Sequence, residues 1–148
     1  MRRTACLLIV LLLAHGSAWA GDLNIVGKFF ADGAEFDLAL YTEGGEKIGV
    51  VGIVAADGGR TSIAFAADEW HSFVELWQKA RKTRSSTWQP VGSFKETGTD
   101  ERALLTIAAG PGVQFDITGK KGPFLFTLPA SDVKSFGAKV AEMAKKLR

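Results

Sequence analysis

Behind an initial apolar segment, polar and apolar residues alternate with a period of two along four consecutive stretches: "LNIVGKFF" (23–30), "AEFDLALYTE" (34–43), "KIGVVGIVAA" (47–56) and "RTSIAFAA" (60–67). Such alternation sends successive side chains to opposite faces of an extended chain, so each stretch predicts a β-strand. The links "ADG", "GGE" and "ADGG" combine Gly and Asp, which tolerate positive φ, and predict tight turns between antiparallel neighbours. The period then changes to 3.6. In "DEWHSFVELWQKARK" (68–82), Trp70, Phe73, Val74, Trp77 and Ala80 share one stripe and predict a helix. Asp68 stands where an N-cap belongs, and basic residues crowd the far end, where cations complement the helix dipole.

The same order then recurs. "STWQPVGSFKE" (86–96), "ERALLTIAA" (101–109), "VQFDITGK" (113–120) and "PFLFTLPA" (123–130) predict four more strands. "SDVKSFGAKVAEMAKKL" (131–147) predicts a second helix, capped by Ser131, with Val133, Phe136, Val140 and Leu147 on one stripe. Trp70, Phe73 and Trp77 align with Val133, Phe136 and Val140 at a constant offset of 63, and "VGKFFADG" (26–33) aligns with "VGSFKETG" (91–98) at an offset of 65. One four-stranded meander with a helix is marginal alone and leaves two open sheet edges. The expected fold is therefore α+β: two ββββα repeats, 22–84 and 86–148, forming an intramolecular pseudo-dimer within one domain, 21–148. Its antiparallel sheets carry the two helices on one side.

Tandem ββββα units resemble the repeats of the Pur-alpha family and of the related single-stranded-nucleic-acid-binding transcriptional coactivators. The likeness covers essentially all of 22–148 in topology and spacing, and no motif carries a site residue across. It implies two curved sheets with helices on one side, a concave outer face, and single-stranded nucleic acid as a partner.

Composition changes the picture mainly at the N-terminus. In "MRRTACLLIVLLLAHGSAWA", Arg2 and Arg3 precede a short apolar core, and Ala18-Trp19-Ala20 is a small-x-small cleavage site. Residues 1–20 read as a secretory signal peptide cleaved after Ala20, with the product periplasmic or secreted. The core is too short for a stable membrane anchor, which takes about 20 apolar residues. Cleavage removes the only cysteine, Cys6, so the mature chain is free of disulfides, and it leaves 16 basic against 16 acidic residues. Residues 21–85 hold 7 basic and 10 acidic residues, and 86–148 hold 9 and 6. A neutral chain offers little phosphate neutralisation, the dominant part of nucleic-acid affinity.

Catalytic chemistry is thinly supplied. The mature chain has one histidine, His71, beside the helix stripe rather than in it. No calcium loop, nucleophile elbow or phosphate loop is present, so no catalytic residue, metal ligand or cofactor site is assigned. The informative region is the first sheet. With Leu23, Ile25, Phe29, Phe36, Leu38, Leu40, Ile48 and Val50 facing the helices, the opposite face would carry Val26, Lys28, Phe30, Ala39, Tyr41, Val51 and Ile53. Phe30, Tyr41, Val51 and Ile53 would then form one apolar patch, and such patches mark partner or ligand sites. Their second-half counterparts Lys95, Thr106, Asp116 and Thr118 are polar, and Trp88 is expected in the core.

The expected function is a non-catalytic binding or interaction module using this outer face, for an unknown protein, a small ligand or a second copy of the chain. A single-stranded nucleic-acid binder, stacking and pairing through Lys28, Phe30, Tyr41, Lys95 and Arg102, is the alternative. A carboxylate-dependent enzyme is a third.

Overall fold

A computed structural model describes residues 21–96 and 102–148. Eight strands and two helices follow in the order ββββαββββα. The first sheet comprises β1 (Asp22–Ala31), β2 (Ala34–Glu43), β3 (Glu46–Val54) and β4 (Arg60–Ala66), paired antiparallel in sequence order. Helix α1 (Trp70–Lys82) follows. The second sheet comprises β5 (Gln89–Lys95), β6 (Leu104–Ala109), β7 (Val113–Gly119) and β8 (Gly122–Leu128), again in sequence order. A short 3-10 turn, Ala130–Asp132, leads into α2 (Val133–Lys146). The fold is α+β, with two antiparallel four-stranded sheets and a helix closing each half. The "VGSFKETG" stretch lies partly outside the described residues, as does the start of the strand expected over 101–109.

The halves exchange their helices. Helix α1 lies against β5 and β6 of the second sheet, while α2 lies against β1 and β2 of the first. The helices also touch each other, and β8 lies across β1, β2 and β3. One core results, with side chains from both halves. At its centre is the Phe136 ring of α2. It stands 4.9 Å from Phe29 and 5.6 Å from Phe36 of the first sheet, 5.2 Å from Phe115 of the second, and 4.6 Å from Trp77 of α1. Trp70 Nε1 spans the helix pair by donating to the Val140 carbonyl at 3.4 Å.

The repeated Val-Gly has a structural cause in this exchange. A β-bulge interrupts β1 between Ile25 and Gly27, and another interrupts β5 between Pro90 and Gly92. At each bulge the other half's helix comes down onto the strand. A Cβ on Gly27 would lie 3.1 Å from Cγ of Lys139 in α2, and one on Gly92 would run into Leu76 of α1. Glycine allows this close approach. The phenylalanine two residues later turns inward in both halves, as Phe29 and Phe94.

Four expectations change. The bulge reverses the alternation in β1, so Leu23 and Ile25 pair with Tyr41 and Ala39 on the outer face, and Val26 joins the core. In β3, pairing of Leu38 with Val51 and of Phe36 with Ile53 turns Val51 and Ile53 inward and Ile48 and Val50 outward. Trp88 is 40% exposed, resting on the turn at Gly110 instead of entering the core. The N-cap positions are Glu69 and Asp132, neither with a side-chain cap, in place of Asp68 and Ser131. At α1 the Glu69 carboxylate reaches back to accept the Ala66 N–H at 2.9 Å.

Two outcomes follow from the exchange. Replacing Phe136 with Ala should lower unfolding free energy by about 3–5 kcal/mol, as for other fully buried aromatic rings; urea denaturation measures it, and an unaffected midpoint would contradict the central role of that ring. A fragment of residues 21–85 lacks the β5 and β6 surface that α1 covers, so it should show no cooperative melting by circular dichroism.

Candidate functional site

Pairing registers arrange the outer face of the first sheet as a grid. One row runs Phe30, Glu35, Val54, Arg60; the next runs Lys28, Asp37, Gly52, Ser62. Then come Ile25, Ala39, Val50, Ala64 and finally Leu23, Tyr41, Ile48, Ala66. The face is thus polarised, with charges at one end and aliphatic residues at the other. At the aliphatic end Ala39, Tyr41, Ile48, Val50 and Ala64 form a second buried cluster, with Leu23 packed on it. The Tyr41 hydroxyl donates to Glu43 at 3.0 Å, and the backbone at Gly21 lies against its ring.

Between the two ends lies a hollow of about 70 Å³. Ala39, Val50 and Gly52 line its middle, Leu23 and Ile25 its aliphatic side, and Asp37, Arg60 and Ser62 its polar side. Gly52 is what leaves the space open. A Cβ there would meet nothing closer than the Thr61 carbonyl oxygen at 3.6 Å, so the strand has room for a side chain that the sequence does not supply. The matching row of the second sheet runs Ser93, Thr106, Asp116, Leu125, with side chains at every position.

Asp37 dominates the electrostatics. Its carboxyl is pushed up to about 7, first by desolvation and then by hydrogen bonding and repulsion from Glu35; Lys28 and Arg60 pull the other way. Lys28 cannot fully compensate because it commits to Glu35 at 2.6 Å and stays 3.9 Å from Asp37 Oδ1. That buried oxygen has no hydrogen bond. The same Lys28 contact holds the Glu35 carboxyl below its usual range. Arg60 is exposed, and its side chain makes no hydrogen bond or ion pair among the described residues.

The sequence-predicted residues divide as follows. Phe30 and Tyr41 are on the outer face, the first 62% exposed and the second buried at the opposite end of the grid. Val51 and Ile53 belong to the main core and cannot join them in a patch. For the nucleic-acid set, Lys28, Phe30 and Tyr41 lie on the first sheet, whereas Lys95 is on the outer face of the second and Arg102 just precedes β6. The five do not converge. Asp37, Gly52, Arg60 and Ser62 escape a periodicity argument. Asp37 reads as an ordinary polar strand position, and the absent side chain of Gly52 has no hydropathy signal at all.

Two other features compete with the hollow. A wider, more open space of about 460 Å³ lies between the helices, lined by Trp70, His71, Val74 and Leu147 among others. Its histidine already engages the Asp68 carbonyl at 2.6 Å through Nδ1. Glu96 at the end of β5 is fully buried, and desolvation pushes its carboxyl up to about 7 against the pull of the Ala103 and Ala64 N–H groups. Among the described residues, no three His, Cys, Asp or Glu side chains gather as a metal site would require, and no helix is long and apolar enough to cross a membrane. Comparison with protein-family models and with curated proteins finds no match.

An unfolded aspartate titrates near ~3.9, so between that value and about 7 folded Asp37 keeps a proton that the unfolded chain has released. Stability contributed at this site therefore falls as pH rises through the window. Asp37→Asn should be more stable than the parent at pH 8 by about 1–2 kcal/mol, with the difference vanishing near pH 4. Urea denaturation at the two pH values measures it; Glu96 titrates with the same sign but is common to both proteins.

Proposed function

We propose that this protein is an exported, non-catalytic binding module that works through the outer face of its first sheet. The leader-like residues 1–20 support export, and the absence of any nucleophile–base arrangement in the sequence supports binding over catalysis. The observation that carries the reading is the hollow around Gly52. It joins aliphatic walls to a few convergent polar groups, the usual make-up of a small-ligand site. The second sheet repeats the same strand order but has side chains where the first has space, so this topology does not by itself demand a gap.

Ile25 and Phe30, 41% and 62% exposed, flank the hollow on the same face and extend it toward a larger partner. The protein purified from the periplasm of an expressing host should carry a bound molecule, detected by native mass spectrometry, or self-associate by light scattering. Gly52→Leu fills the hollow from the outer side and should abolish the bound mass with little change in melting temperature. A bound mass or dimer that survives both Gly52→Leu and Ile25→Lys would show that this face is not the site.

A further inference from the structure

We propose that the hollow on the first sheet binds an aliphatic monocarboxylate, with Arg60 and Asp37 taking its carboxylate head and the Ala39–Val50 floor taking its chain. This inference rests on the outer face being the binding face and adds the chemical class of the ligand.

Charge complementarity decides the sign of the head group. Four charged side chains face this region: Lys28 from β1, Glu35 and Asp37 from β2, and Arg60 from β4. The facing positions of β3, Val50, Gly52 and Val54, carry none. Lys28 and Glu35 neutralise each other at 2.6 Å. What remains is a permanently charged guanidinium with no hydrogen bond or ion pair among the described residues, which attracts Asp37 and Glu35 only at longer range, and a carboxyl group that is largely protonated below about pH 7. Below about pH 7 the residual charge is positive, so a cation entering the hollow would meet Arg60 with no free carboxylate to offset it. An anion instead meets the planar donor fork of Arg60, which suits a carboxylate. The protonated carboxyl of Asp37 donates a further hydrogen bond, and the buried Ser62 hydroxyl stands in the same row.

The rest of the lining sets the body of the ligand. Beyond the polar end come Ala39, Val50, Leu23 and Ile25, which offer no hydrogen bond from a side chain, so the ligand must present methylene or methyl groups there. A dry cavity of roughly 150 Å³ holds a six-carbon ring. A hollow of about 70 Å³ therefore encloses a chain of about three carbons before it emerges past Ile25.

Hexanoate, hexylammonium and hexanol present one chain with anionic, cationic and neutral heads, and isothermal titration of the full-length protein at pH 6 and pH 8 distinguishes them. Hexanoate should bind about tenfold or more tightly than either of the others, and Arg60→Gln should remove that preference. Its affinity should fall about tenfold from pH 6 to pH 8 as Asp37 loses its proton, and Asp37→Asn, which keeps a donor at all pH values, should flatten the profile. Gly52→Leu should block the hollow to every probe. Tighter binding of hexylammonium, or an Arg60→Gln variant that binds hexanoate unchanged, would overturn the carboxylate assignment while leaving the hollow as a site. Failure of all three probes would sink the inference itself. The broader reading fails separately, when the co-purifying mass persists in both the Gly52→Leu and the Ile25→Lys proteins.

Discussion

Each sheet in this protein is covered on its inner side chiefly by the helix of the other half, with Trp70 and Phe73 also packing on Phe65 of their own sheet, and the Phe136 ring is where the exchange closes. Around it meet Phe29 and Phe36 from one sheet, Phe115 from the other and Trp77 from the partner helix. Aromatic pairs at these separations contribute about 0.5–1.5 kcal/mol each beyond the area they bury. The larger consequence is cooperativity. A meander of about 60 residues is marginal alone, and here each half draws most of its helix cover from the other, so the two halves order together. Fidelity of the exchange depends on close approach of helix to strand, which the bulged Val-Gly of β1 and β5 permits.

That arrangement leaves the two outer faces under different constraints. Neither is needed to complete the core, so each was open to change. The second sheet sets Ser93, Thr106 and Asp116 in register on its outer face, with Leu104 and Leu125 exposed beside them. The first has a buried apolar cluster of its own, a missing side chain at Gly52, and a part-buried carboxyl at Asp37 whose Oδ1 has no hydrogen bond. Desolvating a carboxylate without a full complement of hydrogen bonds costs stability.

Electrostatics also separates the two ideas of what this face could bind. Nucleic acid requires a run of cations along the ligand's backbone. On the first sheet Lys28 is already engaged by Glu35, and Lys95 belongs to the other sheet, so the cations are dispersed. A single guanidinium beside an apolar floor suits a small anion better than a polyanion.

The order of elements, the internal repeat and the helix stripes were legible in sequence because periodicity and turn composition are local properties. Strand ends agree to within a few residues, and Phe73 and Phe136 are equivalent core anchors as their offset of 63 implies. The outer face of the first sheet was singled out from polar counterparts in the second, but the registers match Thr106 to Asp37 and Asp116 to Gly52 rather than to Tyr41 and Val51. Which residues form that face was not legible. In "KIGVVGIVAA" apolar residues occupy both parities, so alternation alone cannot choose a face, and the cross-strand pairing of Phe36 with Ile53 makes the choice. In β1 a single bulged residue at Val26 reverses the alternation, a displacement that hydropathy does not register. The exchange of helices and the hollow are further from reach still. Both arise from contacts between positions distant in the chain, and the hollow is defined by a side chain that Gly52 lacks, whose effect exists only once Asp37 and Ser62 stand on either side of it.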